Sequence, residues 1–220
     1  MKIYIGHDSR FSKATRVCRK SIEDHSKKGE HEIKYLDKKS LTRVGVYGRK
    51  DVKGESTEFS FTRFYVPMLC HYQGIALFVD NDFLFKCNPT ELVQYLRKRP
   101  VACVKHNLGE NSIHANKMDG IENKSYPKKC WSSLMLFDNT KLKNLSKEYL
   151  DNASPADLHQ FAWVGEKEIS RIPLKYNHLV GYYKKHKYIK AIHYTQGGPW
   201  FESRKDGELS EEWWKVYKSL

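Results

Sequence analysis

The stretch Ile75-Ala-Leu-Phe-Val-Asp-Asn-Asp-Phe-Leu-Phe85 constrains this chain more than any other. A short apolar run with Gly74 before it and Asn88-Pro89 after it reads as a buried strand. That strand runs directly into Asp80-Asn81-Asp82. Carboxylates two residues apart repel, and burying either of them unpaired is costly. A divalent cation removes the penalty, and Mn²⁺ or Mg²⁺ suits carboxylate and phosphate oxygens. Asp80 and Asp82 therefore read as metal ligands on a sheet edge, holding the phosphates of a sugar nucleotide, with Asn81 beside the bound nucleotide. Two rivals use the same residues. One is a strand-end turn with two solvated carboxylates. The other is an aspartyl phosphatase with Asp80 as nucleophile. The phosphatase fits poorly: Leu84 stands where such enzymes usually have Thr or Val, and the motif begins only at residue 80.

At 220 residues the chain is expected to form one domain, 1–220, with a sizeable core. The formal net charge of +13 calls for an anionic partner or a solvated basic surface. Nucleic acid and a nucleotide diphosphate both satisfy it. Against nucleic acid, no RNP, KH or helix-turn-helix signature occurs, and many aromatics sit inside apolar segments that read as core. No apolar run approaches the ~20 residues of a membrane span. Met1-Lys-Ile-Tyr-Ile-Gly6 is a strand pattern with no signal-peptide character. Cys18, Cys70, Cys87, Cys103 and Cys130 are odd in number and never in C-x-x-C spacing, which suggests reduced thiols. No membrane partner and a cytoplasmic location are expected.

Strands are predicted at 2–6, 32–36, 75–79, 101–105, 132–137, 168–172 and 191–194. Helices are predicted at 12–25, 59–72, 89–97, 139–150, from Ser154-Pro155 onward, and from Ser210 onward. Pro67 is expected to kink the second helix. The polar stretches 37–58 and 106–129 read as long loops that help shape an acceptor site. Alternating strands and helices give an α/β class with a central, mostly parallel sheet flanked by helices. His7 and Asp8 follow the first strand, where such sheets place ligand contacts.

His193 lies at a strand end before Gln196-Gly-Gly-Pro-Trp200. Alone it is a structural histidine as readily as a ligand; beside the two Asp residues it would complete a metal site. Gly197 and Gly198 would let the backbone approach a diphosphate. Together with the Asp-x-Asp strand, Trp131-Ser-Ser-Leu-Met-Leu-Phe-Asp-Asn139, Ile172-Pro-Leu-Lys-Tyr-Asn177 and His193…Pro199-Trp200, in that order, the chain resembles the GT-A (Rossmann-like) glycosyltransferases of family 8, the glycogenin and bacterial galactosyltransferase type. It is also similar to the glycosyltransferase domains that large chlorella viruses use on their capsid glycoproteins.

That resemblance implies transfer of a hexose or deoxyhexose from a UDP-sugar to a glycan or glycoprotein hydroxyl, with retention of configuration. It implies Asp80, Asp82 and His193 as metal ligands, and His7 and Asp8 in the uridine pocket. Arg63 would face the donor sugar and phosphates, Ser132 and Ser133 would line the sugar pocket, and Asp157 would bond donor hydroxyls, with Arg63 and Asp157 the catalytic pair. The chain departs from the pattern in three places. Leu158 follows Asp157 where the family has Gln, so either Gln160 substitutes or the role is absent. Gly198 replaces the Lys before Pro-Trp, which leaves Arg63, Lys190 or Arg204 to neutralise phosphate. Trp131 replaces a small or polar residue.

Overall fold

The computed structural model describes residues 1–50, 55–108, 116–117, 121–122 and 127–220, the two isolated pairs as backbone only. Residues 51–54 of the first expected loop, and 109–115, 118–120 and 123–126 of the second, lie outside the described residues. The strands are β1 (Lys2–Gly6), β2 (Glu32–Leu36), β3 (Ile75–Val79), β4 (Phe83–Phe85), β5 (Val101–Cys103), β6 (Asn116–Lys117), β7 (Ile121–Glu122), β8 (Leu134–Asp138), β9 (Ile169–Arg171), β10 (His178–Leu179) and β11 (Ala191–His193). The α-helices are α1 (Ser12–Asp24), α2 (Lys38–Arg43), α3 (Val66–Leu69), α4 (Lys147–Asn152), α5 (Pro155–His159) and α6 (Ser210–Tyr217).

Six strands form the main sheet in the order β2-β1-β3-β8-β5-β9. All run parallel except β8, which is antiparallel to both its neighbours. Successive side chains of the inner strands enter two different cores, which is why these strands are apolar throughout. Tyr4, Ala76, Phe78, Met135 and Phe137 pack with Phe64, Leu150 and Leu158 on one face. Ile3, Ile5, Leu77, Val79 and Leu136 pack with Cys18, Ile22, Leu92 and Leu96 on the other. The α/β class with a mostly parallel sheet between helices is therefore as expected.

A second sheet, in the order β10-β11-β4, packs against α1 and α6 through Val17, Leu84, Ile192, Tyr194 and Trp213. The chain leaves the main sheet at the end of β3 and enters the second at β4. Asp80-Asn81-Asp82 is the corner between them.

Several element boundaries differ from expectation. The helix expected over 59–72 is a 3₁₀ turn, Thr62–Tyr65, followed by α3. Pro67 lies in the first turn of α3, where a missing N–H leaves no bond unmade, so it starts a helix and does not kink one. The helix expected over 139–150 is a 3₁₀ turn at Asn139–Lys141 and then α4, capped by Ser146. The helix expected over 89–97 is 3₁₀ at Pro89–Leu96, with Asn88 as its N-cap. α2 occupies part of the first expected loop, with the Asp37 carboxylate accepting from Ser40 N–H. β10 is not foreshadowed by any alternation in the sequence.

Candidate metal centre

Three side chains converge at the corner between the sheets. Asp80 follows β3, Asp82 precedes β4, and His193 ends β11. Antiparallel pairing sets His193 opposite Phe83, one residue from Asp82, and the two rings stack with centroids 4.3 Å apart. One ligand atom from each of Asp80, Asp82 and His193 lies within 4.8 Å of the others. The corner is pinned on every side. Asp80 N–H donates to Ser133 O at 2.9 Å, and Tyr194 N–H donates to Asp82 O at 3.0 Å. Asn81 Nδ2 donates to Thr15 Oγ1 of α1 at 3.2 Å, so the middle residue of the motif faces the helix.

The carboxylates have different surroundings. Arg63 Nη1 lies 2.9 Å from Asp80 Oδ1 and also donates to Ser132 O at 2.8 Å. Its guanidinium sits between the rings of Phe59 and Phe78, 5.3 and 4.9 Å from their centroids. Asp82 is 4% exposed, and its Oδ1 accepts no hydrogen bond among the described residues. That oxygen faces His193 Nε2 at 3.2 Å. The other ring nitrogen, Nδ1, contacts Asn177 Oδ1 at 2.9 Å. An unsatisfied carboxylate oxygen facing an imidazole nitrogen, with a second carboxylate alongside, is a donor set that fits a divalent cation. Asp80, Asp82 and His193 are the residues that would hold it.

No protein-family model matches the chain. Protein CDI of Arabidopsis thaliana is 39% identical over 220 residues, covering 96% of this chain and 84% of that protein. The chain belongs to the CDI family. Among solved structures, the glycosyltransferase GlyE of Streptococcus pneumoniae TIGR4 superposes on 98% of this CDI-family chain with a TM-score of 0.64 at 14% identity. The match spans 60% of GlyE. The galactosyltransferase LgtC, solved with donor and acceptor sugar analogs, superposes on 100% of the chain and 96% of its own length, with a TM-score of 0.60 at 12% identity. The fold is that of the GT-A glycosyltransferases.

The remaining residues singled out from the sequence of this CDI-family chain fall into four groups, the last of them Asp157 and Gln160 on α5. Ser132 and Ser133 adjoin the centre on a 3₁₀ turn, Trp131–Ser133. Ser132 contacts Arg63, and Ser133 contacts Asp80 and Asn177. His7 and Asp8 lie at the end of β1. The His7 ring stacks on Tyr35, with centroids 6.0 Å apart. Asp8 is fully buried, accepts a two-pronged bond from Arg10 at 2.8 and 2.6 Å, and accepts Glu58 N–H at 3.1 Å. Burial raises its pKa, but these donors outweigh that and the net shift is downward.

Gly197 and Gly198 form the third group, with Arg204 beside them. A Cβ on Gly198 would stand 2.2 Å from the Trp200 ring, and one on Gly197, at φ +101°, 3.0 Å from Phe201. The glycines border a cavity of about 150 Å³ that Arg204 also lines. Lys190, the other spare cation, reaches Glu91 at 3.4 Å.

Asp157 is exposed, and its carboxylate accepts from Ser154 N–H and Oγ in a capping box. Gln160 ends the same helix, and its backbone carbonyl accepts from Lys128. From the same helix, α5, His159 Nδ1 lies 3.1 Å from Ser132 Oγ. Sequence reasoning assigned no role to His159, Asn177 or His106. His106 is 5% exposed with Nδ1 2.9 Å from the Tyr183 hydroxyl. Burial, with a smaller contribution from His193, pushes its pKa down to about 3.

Proposed function

We propose that this CDI-family chain is a metal-dependent glycosyltransferase of the family 8 type, with residues 1–220 acting as one GT-A domain. It moves a hexose or deoxyhexose from a UDP-sugar to a glycan or glycoprotein hydroxyl, with retention. The observation that carries the reading is the convergence of Asp80, Asp82 and His193 at the corner of a GT-A fold. A capsid glycan is one such acceptor, as the resemblance to the chlorella-virus enzymes suggests.

The difficult step is departure of the diphosphate from the anomeric carbon. Negative charge grows on the leaving oxygen while the sugar becomes oxocarbenium-like. A bound Mn²⁺ or Mg²⁺ supplies Lewis-acid stabilisation of that charge. Arg63 adds a fixed positive charge that needs no reorganisation, since two aromatic rings and Ser132 already hold it. Arg204, which lines a cavity with Gly197, would offset phosphate where the lysine of the family pattern is missing, with Arg63 and Lys190 as the other candidates. His7 and Asp8 receive the uridine, Ser132 and Ser133 border the sugar, and Asp157 or Gln160 meets it from α5.

Calorimetric titration of UDP, with and without Mn²⁺, into the wild type and Asp82→Ala tests this. The expected result is binding that needs both Mn²⁺ and Asp82. Absence of UDP binding under every condition would remove the uridine donor and return attention to the basic surface.

A further inference from the structure

The hydrogen bonds behind His193 run in one direction, and a backbone carbonyl sets it. Cys130 O can only accept, so the Ser133 hydroxyl, 2.7 Å away, donates to it. Ser133 Oγ then has only lone pairs left, and Asn177 Nδ2 donates to it at 2.9 Å. This fixes the amide orientation and turns Asn177 Oδ1 toward His193 Nδ1, at 2.9 Å. An amide oxygen has no proton to give, so Nδ1 carries it. In the singly protonated ring that leaves Nε2 with a lone pair, facing Asp82 Oδ1 at 3.2 Å. Asn177, Ser133 and His193 are 0%, 3% and 1% exposed, so water does not compete for these bonds.

We infer that Asn177 and Ser133 are positioning residues that hold His193 in the Nδ1–H tautomer and keep Nε2 open as a ligand for a divalent cation. The competing state is chemically simple. With the proton on Nε2 instead, His193 would hydrogen-bond Asp82 and close the site upon itself. Asn177 opposes that state by offering Nδ1 an acceptor, and Ser133 prevents the amide from flipping. The same turn also serves Asp80, because Ser133 O accepts Asp80 N–H and Ser132 O accepts Arg63, which pairs with the Asp80 carboxylate. One 3₁₀ turn thus references two of the three residues of the centre, Asp80 and His193. The inference rests on the metal-site reading above.

The test reads the tautomer without metal. Full-length protein labelled with ¹⁵N-histidine is studied by long-range ¹H–¹⁵N correlation in mildly alkaline, metal-free buffer, and Mn²⁺ alone is then titrated by calorimetry. The wild type is expected to show an unprotonated Nε2. Asn177→Leu should move the proton to Nε2 and weaken Mn²⁺ binding about 10- to 100-fold. Asn177→Asp, which keeps an acceptor, should preserve the Nδ1–H form. Ser133→Ala, a smaller change, should give a mixture of tautomers and keeps the test available if leucine is not tolerated. A protonated Nε2 in the wild type, or an Asn177→Leu protein with unchanged tautomer and Mn²⁺ affinity, would overturn the inference. A wild type in the Nδ1–H form that takes up no Mn²⁺ would overturn the metal reading, and the ligand role with it, while leaving the tautomer assignment standing.

Discussion

Arg63 decides the charge balance of the centre at the scale of single residues. Its side chain is 7% exposed and that of Asp80 16%, so the pair is largely withdrawn from water. Removing one partner of such a pair strands the other. Arg63→Met is therefore expected to lower stability by about 3–5 kcal/mol, read from the urea unfolding midpoint. A loss under about 1 kcal/mol would mean that Asp80 is solvated well enough to stand alone. The arginine was singled out through the family resemblance, which places an arginine facing the donor sugar and phosphates at this position. Asn177 could be quoted as part of a motif, but its role could not be read. A neutral amide has no signature of its own, and its partners lie 44 and 16 residues away in the chain.

At the scale of elements, α5 gives Asp157 a structural role that the sequence reading did not assign to it. Asp157 was expected near a donor sugar, and its carboxylate closes a capping box with Ser154. Ser154→Ala should cost about 1 kcal/mol in the same unfolding measurement, whatever part Asp157 plays in transfer. The long periodic elements, β1, α1, β3 and α6, were readable because their apolar spacing is set locally. The segments over 59–72 and 139–150 were not. Each is two short pieces whose joint is chosen by packing on the sheet, and 3₁₀ and α turns differ too little in propensity for sequence to separate them.

The whole molecule carries a strong positive charge and a neutral histidine in its interior. His106 has its pKa lowered from 6.5 to about 3, chiefly by burial and then by His193. Between those values the unfolded chain takes a proton that the native state refuses. Stability is therefore expected to fall as pH drops from about 6.5 toward 3, with no further loss from this group below that. His106→Gln should flatten the pH dependence of unfolding free energy in that window by up to about 1.4 kcal/mol per pH unit. Urea unfolding at a series of pH values checks it, and an unchanged slope would show that His106 titrates normally. Among the described residues no helix is long and apolar enough to cross a membrane, in keeping with the absence of a long apolar run in the sequence.

The sequence by itself determined the class of the fold and drew attention to the corner at Asp80-Asn81-Asp82. A strand apolar on both faces must be covered on both, and carboxylates paired after it need compensation by a counter-charge, hydrogen bonds or water. The tertiary structure alone decided which partner each side chain at this corner keeps. Arg63 lies against Asp80, Asn177 behind His193, and His159 on Ser132, because two sheets part at Asp80-Asn81-Asp82 and bring distant segments to one corner. Those contacts are set by strand register and by the direction of hydrogen bonds. Neither is written in any local run of residues.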